Sequence, residues 1–144
     1  MPADPLPPFP PLGPVLGLGI DLCEIERLRE SMTRTPGMRT RIFTAAEQEY
    51  CDRKRDPAER YAARFAAKEA VMKAMGIGLG GCAVRDIEVV RDEGSGAPAV
   101  LLHASAAKVA AERGVAAWLL SLTHTGGFAQ AAAIALGPVP HPVL

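Results

Sequence analysis

One stretch limits the possible folds more than any other: residues 61–75 read YAARFAAKEAVMKAM. At about 100° per residue, the apolar side chains of such a helix fall on nearly every side. A helix that is apolar all round is buried, so the rest of the chain must wrap it. Its ends are marked. Asp56-Pro57-Ala58-Glu59 places an Asp cap, a proline at the first helical position and an acid behind it. Gly76 supplies a left-handed stop. The helix is predicted over 57–75. Arg64, Lys68, Glu69 and Lys73 then need an explanation, because buried charges are costly unless paired or bound to an ion. From this helix alone, a Glu69–Lys73 pair on a solvated edge, worth about 0.3–0.5 kcal/mol, accounts for the charges as well as a site does.

The flanking segments read as α+β. Val15–Ile20 is an apolar run and a predicted strand. Asp21 is expected at its exit, beside flexible Gly17 and Gly19, starting a helix with a core face of Leu22, Ile25, Leu28 and Met32. Arg27, Ser31 and Arg34 fall on an exposed stripe. A carboxylate there suits ligand binding, although strand-end aspartates also serve simply as helix caps. Thr44-Ala45-Ala46-Glu47 is a capping box opening a helix over about 45–54. A strand at 86–91, a turn at 92–96 and a strand at 99–103 form a hairpin. Ser105 is expected to cap a helix ending before Gly114. Strands at 115–123 and 128–136 follow. The predicted order is β-α-α-α-β-β-α-β-β, with long helices packed on an antiparallel-rich sheet.

The 144 residues suit one domain, expected over 15–136. Seven of the chain's prolines lie in residues 1–14. They define a Pro-rich tail expected to stay disordered and build no core, and residues 137–144 form a second. The formal net charge is zero, so nothing attracts nucleic acid or an anionic membrane globally. No apolar run reaches the length of a membrane span. Residues 1–14 lack Lys, Arg and an apolar core, and are not expected to be a secretory signal. Cys23, Cys51 and Cys82 form no C-x-x-C pair. Reduced thiols in a cytoplasmic protein are expected.

The segment Gly17-Leu18-Gly19-Ile20-Asp21, followed by Arg27, resembles the first signature of the holo-acyl-carrier-protein synthases. Phe65-Ala66-Ala67-Lys68-Glu69-Ala70 resembles their second. Phe43-Thr44 with Glu47, Gly96-Ala97-Pro98 and Ser121-Leu122-Thr123-His124 are similar to the remaining ones, in the same order. The resemblance covers about 15–136.

It implies transfer of 4′-phosphopantetheine from coenzyme A to a serine of an apo acyl carrier protein, releasing adenosine 3′,5′-bisphosphate. It implies Mg²⁺ on Asp21 and Glu69, with Lys73 beside them at the pyrophosphate. Mg²⁺ commonly takes one or two carboxylates and completes its shell with water and phosphate oxygens. Arg64, Lys68, Lys73, His124 and Thr125 are implied as coenzyme A contacts, with Arg64 and His124 at the 3′-phosphate. The carrier protein is acidic, and Arg27 resembles the arginine that meets it. A homotrimer is implied, with His124 facing coenzyme A held mainly by a neighbour's Asp21 and Glu69. A water held by the metal, or by Glu69, is the expected general base. Two rival readings are a metal-free thioesterase-like enzyme and a non-catalytic carrier-protein or coenzyme A binding module.

Overall fold

The computed structural model describes residues 3–5 and 10–141. The tails expected at 1–14 and 137–144 therefore lie partly outside the described residues. Where they are described, residues 10–14 and 137–141 carry no helix or strand, and Gly137 N donates to the Pro14 carbonyl at 2.8 Å.

The chain forms β1 (Val15–Glu24), α1 (Ile25–Arg34), α2 (Gly37–Ile42), α3 (Ala45–Asp52) and α4 (Ala58–Ala74). After a short 3₁₀ turn at Val84–Asp86 come β2 (Ile87–Arg91), β3 (Pro98–Leu102), α5 (Ala104–Glu112), β4 (Ala117–Thr125) and β5 (Phe128–Leu136). The fold is α+β, as expected. Its strands form two antiparallel sheets, β1-β5-β4 and β2-β3.

The central helix α4 is buried along most of its length, as its composition requires. It packs on β1 and β5. Ala129, Ala131, Ala133 and Ala135 line the inner face of β5. On β1, a Cβ at Gly17 would come within 1.8 Å of the Ala74 carbonyl oxygen, and one at Gly19 equally close to that of Ala70. These glycines therefore serve close helix–strand approach, not the flexibility expected of them.

Three local expectations change. First, β1 runs four residues beyond Ile20, because β5 pairs with it as far as Glu24 opposite Phe128. Asp21 is thus inside a strand, and Leu22 lies exposed on β1 instead of on the core face of α1. Second, the short helix α2 was not expected, because six residues carry little periodicity. Third, Ser105 does not cap α5. His103 holds the cap position, and the carboxylate of Asp86, nineteen residues away, accepts from Ser105 N at 3.0 Å and from its hydroxyl.

The capping box forms as predicted: Glu47 N donates to Thr44 Oγ1 at 3.2 Å, and Thr44 N to Glu47 Oε1 at 2.9 Å. Gly76 has φ +71, the left-handed stop that ends α4.

Candidate active site

Two elements bring the main acids together. Asp21 comes from the middle of β1 and Glu69 from the centre of α4, and both line a cavity of about 430 Å³. Leu28, Met38, Phe65 and Phe128 give that cavity apolar walls, and Arg27 stands at it from α1. Lys73, one turn after Glu69, donates to Asp21 Oδ1 at 2.9 Å and to the Ile20 carbonyl at 3.0 Å. Lys73 thus pairs with the strand carboxylate and not, as a lone helix suggests, with Glu69.

Partial burial pushes the Glu69 carboxyl up to about 7, and a hydrogen bond to Asp21 and that residue's negative charge push the same way. Lys73 only partly offsets them. Burial and the Asp21 charge disfavour the ionised Glu69 unless a cation offsets them. The pair is a donor set suited to Mg²⁺, which needs few protein oxygens. Among the described residues, no group of three or more His, Cys, Asp or Glu could hold a metal, so a closed zinc-type cage is not built here. Cys23 lines the same cavity. Burial, with help from Asp21 and Glu69, raises its thiol to about 11. At neutral pH it is no nucleophile.

Arg64 and His124 meet in a second cavity of about 280 Å³, also lined by Tyr50, Lys54, Glu59 and Arg60. His124 Nε2 is 3.1 Å from Glu59 Oε1. Arg64 is only 7% exposed, and its Nε has no hydrogen-bond partner. Thr125, the last residue of β4, is exposed beside His124. Asp21 and Glu69 therefore line one cavity of this chain and Arg64 and His124 another; the sequence reading set His124 apart from its own chain's acids, but not Arg64.

Lys68 belongs to neither cavity. Its side chain is wholly buried, and Nζ donates to Glu47 Oε1 at 2.7 Å and to the Ile87 carbonyl. Glu47 also accepts from Thr44 N at 2.9 Å and Val89 N at 3.0 Å. Burial pulls the Lys68 ammonium below its ordinary range, and Glu47 opposes the shift. An enclosed ammonium with an acid and a carbonyl at hand cannot reach a phosphate. The expectation that Lys68 contacts coenzyme A is corrected by this geometry. Sequence reading missed Tyr50, Lys54 and Arg60 in the second cavity. One signal existed: Arg60 and Arg64 are like charges at i, i+4, which repel unless an anion joins them.

The sequence pattern of the 4′-phosphopantetheinyl transferase superfamily matches residues 17–133. The chain is 50% identical over 125 residues to the holo-[acyl-carrier-protein] synthase of Desulforudis audaxviator, covering 86% of this chain and 95% of that protein. It is 45% identical over 130 residues to that of Anaeromyxobacter dehalogenans, covering 88% and 99%. The holo-[acyl-carrier-protein] synthase structure from Neisseria meningitidis superposes with a TM-score of 0.77 at 28% identity, covering 84% of this chain and 98% of that one. The Helicobacter pylori enzyme in complex with coenzyme A gives 0.72 at 26% identity, over 82% and 98%. The chain belongs to the 4′-phosphopantetheinyl transferase superfamily, in its holo-[acyl-carrier-protein] synthase branch.

Proposed function

We infer that this chain transfers 4′-phosphopantetheine from coenzyme A to a serine of an apo acyl carrier protein and releases adenosine 3′,5′-bisphosphate. The observation that carries this reading is the meeting of Asp21 and Glu69 in one cavity, with the Glu69 carboxyl pushed up by burial and by Asp21. Mg²⁺ on these two carboxylates would neutralise charge on the pyrophosphate as it breaks. Lys73 anchors Asp21 and the Ile20 carbonyl and has one N–H left for the same oxygens. Arg64 and His124 suit the 3′-phosphate, since an unpartnered guanidinium recognises phosphate well. Mass spectrometry of an apo carrier protein incubated with coenzyme A and Mg²⁺ tests the reading. A mass gain of one phosphopantetheine, lost with a chelator and restored by Mg²⁺, is expected. Transfer that survives the chelator refutes the metal role.

The two cavities fit an assembly of three copies, in which one subunit's Asp21 and Glu69 meet a neighbour's His124. The outer face of the β1-β5-β4 sheet favours this. Leu16, Leu18, Ile20 and Leu22 of β1, Leu119 of β4 and Phe128 of β5 are all exposed there. A continuous apolar face of this kind marks a protein interface. Leu18→Asp combined with Ile20→Lys is expected to give monomers in sedimentation equilibrium and to cost activity in proportion. Trimers that persist in the double variant would sink this assignment.

The carrier protein is expected to meet α1. Arg27 is exposed at the mouth of the first cavity, and among the described residues it makes no ion pair. Its charge is free to meet an acidic surface. Arg27→Glu should weaken carrier binding about tenfold at low salt, less at high salt, and leave coenzyme A binding unchanged. Equal carrier affinity in the two proteins would refute it. No described helix is long and apolar enough to cross a membrane. The three cysteines are free and buried, which suits the proposed cytoplasmic location.

A further inference from the structure

The functional reading leaves Arg60 without a role. It reaches the cavity of Arg64 and His124 from one turn earlier on α4. Its guanidinium carbon lies 4.3 Å from the centroid of the Tyr50 ring, and that of Arg64 lies 4.1 Å from the same centroid. Arg60 Nη1 also donates to the Tyr50 carbonyl at 2.8 Å. One aromatic ring on α3 therefore steadies two cations that would otherwise repel. Among the described residues, neither arginine has a carboxylate within ion-pair distance. The one acid in the cavity, Glu59, is engaged by Lys54 at 2.9 Å and by His124 at 3.1 Å. Arg64 is more than nine-tenths buried, and its Nε is unpartnered. That buried Nε lacks a hydrogen-bond partner, which an entering anion would supply. The planar guanidinium fork matches phosphate oxygens.

We propose that Arg60, held with Arg64 on the Tyr50 ring, is a specificity-determining residue that reads a phosphate monoester in this cavity. Tyr50 is its positioning residue. The proposal rests on coenzyme A being the substrate, since its 3′-phosphate is such a monoester. The pairing of Arg64 with His124 belongs to that reading. What Arg60 and Tyr50 add is rejection of the same ligand without the phosphate.

The test is calorimetric titration of the full chain with coenzyme A and with 3′-dephospho-coenzyme A. Wild type is expected to prefer coenzyme A. Arg60→Met should lower coenzyme A affinity about tenfold, the worth of one charge-assisted hydrogen-bond contact, and leave the dephospho ligand within about twofold. Tyr50→Leu should narrow the preference likewise, and Tyr50→Phe, which keeps the ring, should not. Equal losses for both ligands, or no loss with coenzyme A, overturn the proposal, provided the variants melt as wild type does. Transfer to an apo carrier protein by wild type is followed in parallel. Absence of transfer and of coenzyme A binding overturns the functional reading and this proposal together. Intact transfer with an unchanged ligand preference in Arg60→Met overturns the proposal alone.

Discussion

Glu69→Gln is expected to lower phosphopantetheine transfer by about 10³-fold or more, and Asp21→Asn by a similar factor, because each would remove one of the two carboxylates proposed to hold Mg²⁺. The same substitution has an opposite signature in stability. Glu69 titrates near 7 in the folded chain against an ordinary 4.5. A carboxyl raised in this way stabilises the fold fully below about 4.5, and loses that contribution as pH rises through about 7. Above that pH the wild type holds two repelling carboxylates, and Gln removes one. Without metal, Glu69→Gln should therefore melt about 2–5 °C higher than wild type at pH 8, with the gap closing at pH 5. Adding Mg²⁺ should raise the wild-type melting temperature and leave the variant's unmoved. A variant that retains full activity, or responds to Mg²⁺ as wild type does, would remove Glu69 from the metal site. This combination of lost activity and gained metal-free stability is what a functional carboxylate predicts and a structural one does not.

Lys68→Met is expected to be strongly destabilising. It leaves Glu47 as a buried carboxylate facing Thr44 N and Val89 N without its cation. Breaking a buried pair from one side costs about 3–5 kcal/mol. For a domain of this size that is on the order of 10 °C in melting temperature. Replacing both partners, as in Glu47→Gln with Lys68→Met, should recover much of the loss, since the exposed penalty disappears. If Lys68 instead touched coenzyme A, Lys68→Met would raise the KM for coenzyme A and leave the melting curve alone. Thermal melts and steady-state kinetics on the single and double variants separate the two outcomes.

The structure also shows why the lysine was misassigned. In the sequence, Lys68 and Glu69 are neighbours and look like members of one charged cluster. Adjacent helix residues point about 100° apart. Glu69 turns toward β1 and the first cavity, while Lys68 turns toward α3 and β2, where Glu47 waits 21 residues away in sequence. The helical phase alone separates the two side chains, but not which is solvated. That depends on what packs against each face.

Other features lie wholly within a few residues of chain, and these were legible. The all-round apolar pattern of residues 61–75 demands a buried helix. Thr44 and Glu47 close their own capping box, Gly76 ends α4 at a positive φ, and β5 falls where predicted. Each is a short-range effect of periodicity, capping geometry or glycine's freedom. The residue types Asp21, Glu69 and Lys73 were likewise readable as one charged group. The length of β1 was not, because Asp21 to Glu24 become strand only by pairing with β5, more than a hundred residues later. Nor was the upward push that burial and Asp21 give the Glu69 carboxyl, or the placing of Arg64 with His124, Arg60 and Tyr50 in a separate cavity. Local sequence set the elements and the chemical groups available. Tertiary packing decided which charges meet, since Coulomb and desolvation energies depend on distance and burial through space and not on separation along the chain.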